Sequence, residues 1–137
     1  MPTLTRWFIK TALVYLVVAL LVGALYVTRN LIELPPIVDA LRPVYFHLFM
    51  VGWVTQLIIG VAYWMFPKFS MEKPRGSEPL GWVVFALLNI GLALRAIGEP
   101  LLSSVPGMGR VVAASAVLQW LAGMAFVANT WGRVKEK

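Results

Sequence analysis

Residues 42–67 read RPVYFHLFMVGWVTQLIIGVAYWMFP. After Arg42 the stretch holds no Asp, Glu, Lys or Arg, and it exceeds the ~20 apolar residues a helix needs to cross the hydrocarbon core. It also carries His47, the one histidine of a chain without cysteine. His47 is therefore the only strong nitrogen or sulfur metal ligand in the protein. The helix that presents it reads as a membrane span.

Working outward, three more apolar runs have the same character. The spans are expected at about 7–28, 44–67, 79–98 and 110–131, within one membrane domain covering residues 1–137. The fold class is all-α, an integral membrane four-helix bundle. Lys10 lies near the start of the first run and reaches back to the interface with its charged head. Pro79 and Pro100 bound the third run, where proline suits a helix edge. The first run has no small-residue cleavage site and is too long for a signal peptide, so it reads as a retained span. The linkers are short, which predicts antiparallel neighbours. The segment from Asn30 to Leu41 is apolar but broken by Pro35 and Pro36, and is expected to lie at the interface over the bundle.

Composition agrees. The chain is 60% hydrophobic and 13% charged, whereas soluble domains are roughly half apolar and a quarter charged. The net charge of +6 sits at the ends of apolar runs, which fits a lipid bilayer and no nucleic acid. Absence of cysteine excludes disulfides, thiolate zinc sites, iron–sulfur ligation and CxxCH haem attachment.

Lys and Arg counted by side give an orientation. Arg6, Lys10, Lys68, Lys73, Arg75, Arg133, Lys135 and Lys137 lie on one side, and Arg29, Arg42, Arg95 and Arg110 on the other. The positive-inside rule then puts both termini in the cytoplasm, with His47 near the outer face; the expected location is a bacterial or archaeal cytoplasmic membrane. Aromatics at span ends, Trp7, Tyr26, Tyr45, Trp64, Trp82 and Trp131, suit the two interfaces.

A histidine inside a span marks a functional site by default; the plain alternative is a shallow ring reaching water or a carbonyl. At about 100° per residue, His47 shares a stripe with Met50, Val51, Val54, Ile58, Val61 and Met65. That wall has no hydroxyl, amide or charge, and Gln56 falls near the opposite side. A lone base above an apolar wall does not suit hydrolysis or proton relay, which need a second reacting group. It suits a flat, greasy cofactor ligated at one end, and histidine is a common axial ligand of haem. Arg42, Arg95 and Arg110, with Arg29, reach the same level and suit haem propionates, since arginine binds carboxylates in bidentate fashion. The same arginines also suit snorkelling, or pairing with Glu33, Asp39 and Glu99. Met50, Met65, Met108 and Met124 are the remaining candidate ligands, although methionine is more often packing.

The pattern His47-x4-Gly52-Trp53-x6-Gly60-x2-Tyr63-Trp64-x2-Pro67 resembles the second helix of the catalytic subunit of haem–copper oxidases and nitric oxide reductases. Residues 89–95, Asn-Ile-Gly-Leu-Ala-Leu-Arg, with Gly98-Glu99-Pro100, are similar to small membrane proteins grouped with that subunit. The resemblance implies that His47 ligates a b-type haem at the outer face. It also implies a bundle like one four-helix arc of the larger subunit, completed by self-association as a trimer or dimer. Gly52, Gly60, Gly91 and Gly123 suit close contacts between copies, and equally packing within one chain. One histidine cannot build the family's copper site, so copper and complete oxygen or nitric oxide reduction are not expected.

The expected function is a haem-binding membrane protein resembling a minimal b-type cytochrome, for electron transfer from a respiratory donor or for gas binding. The alternative is a cofactor-free structural or assembly subunit of a respiratory complex. A quinone or transport role has less support, because Thr55, Gln56, Asn89, Ser115 and Gln119 suit interhelical hydrogen bonds.

Overall fold

The computed structural model describes residues 1–134. Lys135 and Lys137, counted above for orientation, lie outside the described residues. Among those, the structure is all helical, and four helices are long and apolar enough to cross a membrane.

Helix α1 spans Thr3–Thr28 and follows Pro2, whose extended backbone ends the preceding chain. Its far end is fixed by Arg29, stacked 3.6 Å from the centre of the Tyr26 ring and paired with Asp39 at 3.2 Å. Pro35 and Pro36 then force a break, and the chain forms a short 3-10 turn over Pro36–Ala40 that tucks Val38 inward. Helix α2 covers residues 41–65 in three stretches, with Leu48–Thr55 wound as a π-helix between two α-helical parts. Helix α3 spans Glu78–Gly98; Ser77 caps its start by accepting from the Leu80 amide, and Pro79 stands in its first turn. Helix α4 spans Met108–Thr130 and is entered through Gly107, whose φ of 87° is open to glycine and strained for other residues.

Close approaches between helices give the topology. A Cβ on Gly23 would meet Tyr45, and one on Gly60 would meet Phe8, so α1 and α2 run antiparallel along their length. Gly52 lies under Tyr15 and Leu92, and Gly81 under Leu4, which seats α3 against both. Gly91 faces Ser115 and Gln119, and Gly98 faces Val112, so α4 runs back along α3. Three of the four glycines expected at close contacts thus serve packing within the chain. Gly123 differs, with no atom near its missing side chain.

Two apolar clusters fill the bundle. One, around Phe8, Ile59, Tyr63, Val84 and Leu88, lies toward the chain start. The other, around Ala19, Val44, Leu48 and Leu92, lies toward His47. Helix α4 stays at the edge: only 11% of its span is buried, against 33% for the span containing α2. Most of its apolar surface therefore faces outward, as lipid or a neighbouring copy requires.

The π-helical turns correct the expected stripe on α2. Bonds of the i→i+5 kind hold roughly one more residue per turn than an α-helix, so a constant 100° step does not carry through residues 48–55. Thr55 Oγ1 marks the change by donating to the Met50 carbonyl, five residues back, at 2.8 Å. Consequently Met50, Ile58 and Met65 point outward, while Val51 packs against both clusters and Val54 is half-buried. The continuous wall anticipated beneath His47 is split between the inside and outside of the bundle.

Candidate functional site

His47 ends the first α-helical stretch of α2, and its side chain is 27% exposed. Its Nδ1 lies 2.9 Å from the Pro43 carbonyl oxygen, one turn back, and 3.6 Å from Glu99 Oε2. Proline at position 43 sits in the first turn, where its missing N–H costs nothing, and its carbonyl is aimed along the helix at residue 47. A carbonyl only accepts, so the Nδ1 hydrogen-bonded to Pro43 carries the proton. In the neutral ring the free lone pair then belongs to Nε2.

Glu99 follows the last residue of α3 and is 10% exposed at its side chain. Its Oε1 is 2.7 Å from Arg95 Nε, four residues earlier. The Arg95 NH1 group reaches the Val112 carbonyl of α4 at 3.5 Å. The cluster therefore links α2, α3 and α4 at one end of the bundle. It also answers where the predicted residues go. Arg95 is brought to His47 through Glu99, and its Nε faces the carboxylate. Arg42 and Arg110 are exposed at the same end and have no ion-pair partner among the described residues. Arg29 is held by Asp39. Met50 projects outward from α2, and Met108 begins α4 at the same end as His47.

Two features went unread in the sequence. Glu99 was visible only as a partner for arginine, through its i,i+4 spacing from Arg95. Its approach to His47 depends on how α3 seats against α2. Arg133, counted as a flanking charge, is 1% exposed and caps α2 instead. Its Nε donates to the Pro67 carbonyl at 3.0 Å, and its NH2 group to those of Tyr63 and Phe66 at 3.1 and 2.7 Å. Nearby, Asn129 accepts from the Ser77 amide at 2.9 Å and donates to the Ser77 carbonyl at 3.0 Å. Together they tie the end of α4 to the loop between α2 and α3.

Among the described residues no group of three or more His, Cys, Asp or Glu side chains gathers as metal ligands. A bare ion would find one imidazole and one carboxylate already paired with arginine. A porphyrin brings four nitrogens of its own and needs from the protein only an axial base. No family model matches the chain, and comparison with characterised proteins and with solved structures returns no match.

Proposed function

We propose that this chain is a haem-binding membrane protein, a minimal b-type cytochrome-like module with His47 Nε2 as an axial ligand to iron. The observation that carries this reading is the environment of Nδ1. Ligating histidines generally donate their other ring N–H to a carbonyl or carboxylate, which fixes the tautomer and raises the basicity of the ligating nitrogen. His47 has such an acceptor in the Pro43 carbonyl at 2.9 Å, and the Glu99 carboxylate stands nearby at 3.6 Å, beyond hydrogen-bond reach.

The cavities beside the 72–79 loop, around Arg29–Asp39 and along the start of α1 do not include His47. The reading places the group on the outer flank of α2, where Phe46 and Met50, both about half exposed, offer apolar surface near His47. Arg42 and Arg110 are the free cations for its propionates, and Arg95 acts through Glu99. A haem on an outer flank needs cover from lipid or from a second copy; the second suits a homo-oligomer, a dimer or trimer, and the distribution of Lys and Arg suits the cytoplasmic membrane with both termini inside. When bound, haem supplies one-electron exchange with a respiratory donor or an open position for a gaseous ligand. The protein's own work would be to orient the ring through the Nδ1 hydrogen bond to Pro43 and so present Nε2 to the group.

The test is an absorption spectrum of the detergent-purified protein from haem-replete cells. A Soret band that is lost in His47→Ala and kept in Gln56→Ala supports the reading. A colourless preparation after haem supplementation rejects it and leaves a cofactor-free structural or assembly subunit. Carbon monoxide added to the reduced form reports whether an axial position is open.

A further inference from the structure

A groove of about 440 Å³ runs along the outer side of α1, lined by Thr3, Arg6, Trp7, Lys10, Thr11 and Val14. It holds two cations and no acidic side chain. Arg6 and Lys10 stand four residues apart on one helix face, an arrangement in which like charges repel. Neither has a carboxylate within ion-pair distance among the described residues. The Arg6 guanidinium is steadied by a hydrogen bond to Thr3 Oγ1 at 3.2 Å. Lys10 lies roughly 10 Å along the helix from Thr3, below Trp7, which is 54% exposed in the manner of an interfacial ring. Beyond Thr11 the side chains that this helix exposes most are apolar, among them Leu13, Val14 and Val17.

We propose that this groove binds an anionic phospholipid, with its phosphate between Arg6 and Lys10 and an acyl chain along Val14 and Val17. The two unpaired cations call for a negative group. The absence of any acid in the groove leaves the ammonium of a zwitterionic headgroup without a partner. The apolar strip that continues below the cations favours a lipid, since a free anion makes no use of it. Basic pockets at the cytoplasmic level of membrane helices recognise acidic headgroups by this chemistry. The site is at the opposite end of α1 from His47 and stands independently of haem.

The experiment extracts the full chain from vesicles of phosphatidylglycerol and phosphatidylcholine in equal parts and counts retained lipids by native mass spectrometry. The wild type is expected to retain phosphatidylglycerol in preference by roughly 10-fold or more, the scale set by two basic residues at an acidic surface. R6Q/K10Q is expected to lose that preference, and K68Q/K73Q, which removes equal charge from the loop after α2, to keep it. Equal retention by R6Q/K10Q, or equal loss in K68Q/K73Q, overturns the proposal. Displacement by millimolar inorganic phosphate also overturns it and assigns a free-anion site. If R6Q/K10Q lacks the helical circular dichroism of the wild type, Lys10→Gln alone is read by the same criteria.

Discussion

Glu99 Oε2 stands 3.6 Å from Nδ1 of His47. This contact brings the only imidazole beside a carboxylate delivered from the end of another helix, so the surroundings of His47 Nδ1 depend on how α3 is seated. Removing the carboxylate charge while keeping its shape isolates that dependence. On the proposed reading of His47 as a haem ligand, Glu99→Gln is expected to weaken haem binding about 10-fold or more, the scale for loss of an outer partner of a ligating histidine. It should also raise the reduction midpoint, because a less basic axial nitrogen stabilises ferric iron less. Haem titration and redox potentiometry of the purified variant check both; unchanged values would separate Glu99 from the ligand.

Arg95 tests the same cluster from its other side. Its removal leaves Glu99 largely buried without its cation, which costs more than the pair itself contributes. Arg95→Met is expected to lose about 2 kcal/mol of stability, below the full cost of a broken buried pair because both groups keep some exposure. The double variant R95M/E99M should recover most of that loss, since no charge is left stranded. Thermal unfolding in detergent of the two singles and the double closes the cycle.

At the opposite end, Arg133 places three hydrogen bonds on carbonyls at and just past the end of α2, those of Tyr63, Phe66 and Pro67. Those carbonyls have no helical partner of their own. Arg133→Met should cost about 3 kcal/mol, the upper scale for hydrogen bonds to a charged group. Lysine is not expected to rescue it, because an ammonium cannot span acceptors as the planar guanidinium does. Limited trypsin digestion offers a direct readout: the variant should be cut faster in the loop carrying Lys68, Lys73 and Arg75.

The four spans were legible because each is a long run of apolar residues, and lipid makes helices the only open solution for such runs. The linkers were legible through proline and glycine. The interior of α2 was not. Nothing in Leu48–Thr55 distinguishes i→i+4 from i→i+5 bonding, so a register built on one constant angle misplaced Met50 relative to Val51. The site was half legible. His47 stands out as a lone candidate ligand in an apolar stretch, whereas its approach to Glu99 joins distant parts of the chain and depends on packing. Arg133 was misread for the same reason: a cation just past a span looks like any flanking charge until the neighbouring helix end is in place beside it.

The glycines of α2 and α4 separate packing within the chain from packing between chains. A Cβ at Gly60 would lie 2.7 Å from Phe8 Cβ, inside the wall between α1 and α2, whereas Gly123 has nothing within 4 Å. Gly60→Val should therefore destabilise the monomer fold by about 1–3 kcal/mol, the usual cost of overpacking. Gly123→Val should leave intrinsic stability within about 0.5 kcal/mol of the wild type, as outward substitutions do. If α4 joins copies, a larger side chain at 123 acts on the oligomer instead. Thermal unfolding and mass in detergent, measured on both variants, read the two effects apart. A Gly123→Val protein with unchanged unfolding and reduced mass would place the contact between copies on α4, and one with unchanged mass would direct the search to the exposed flank of α2 at Met50 and Ile58.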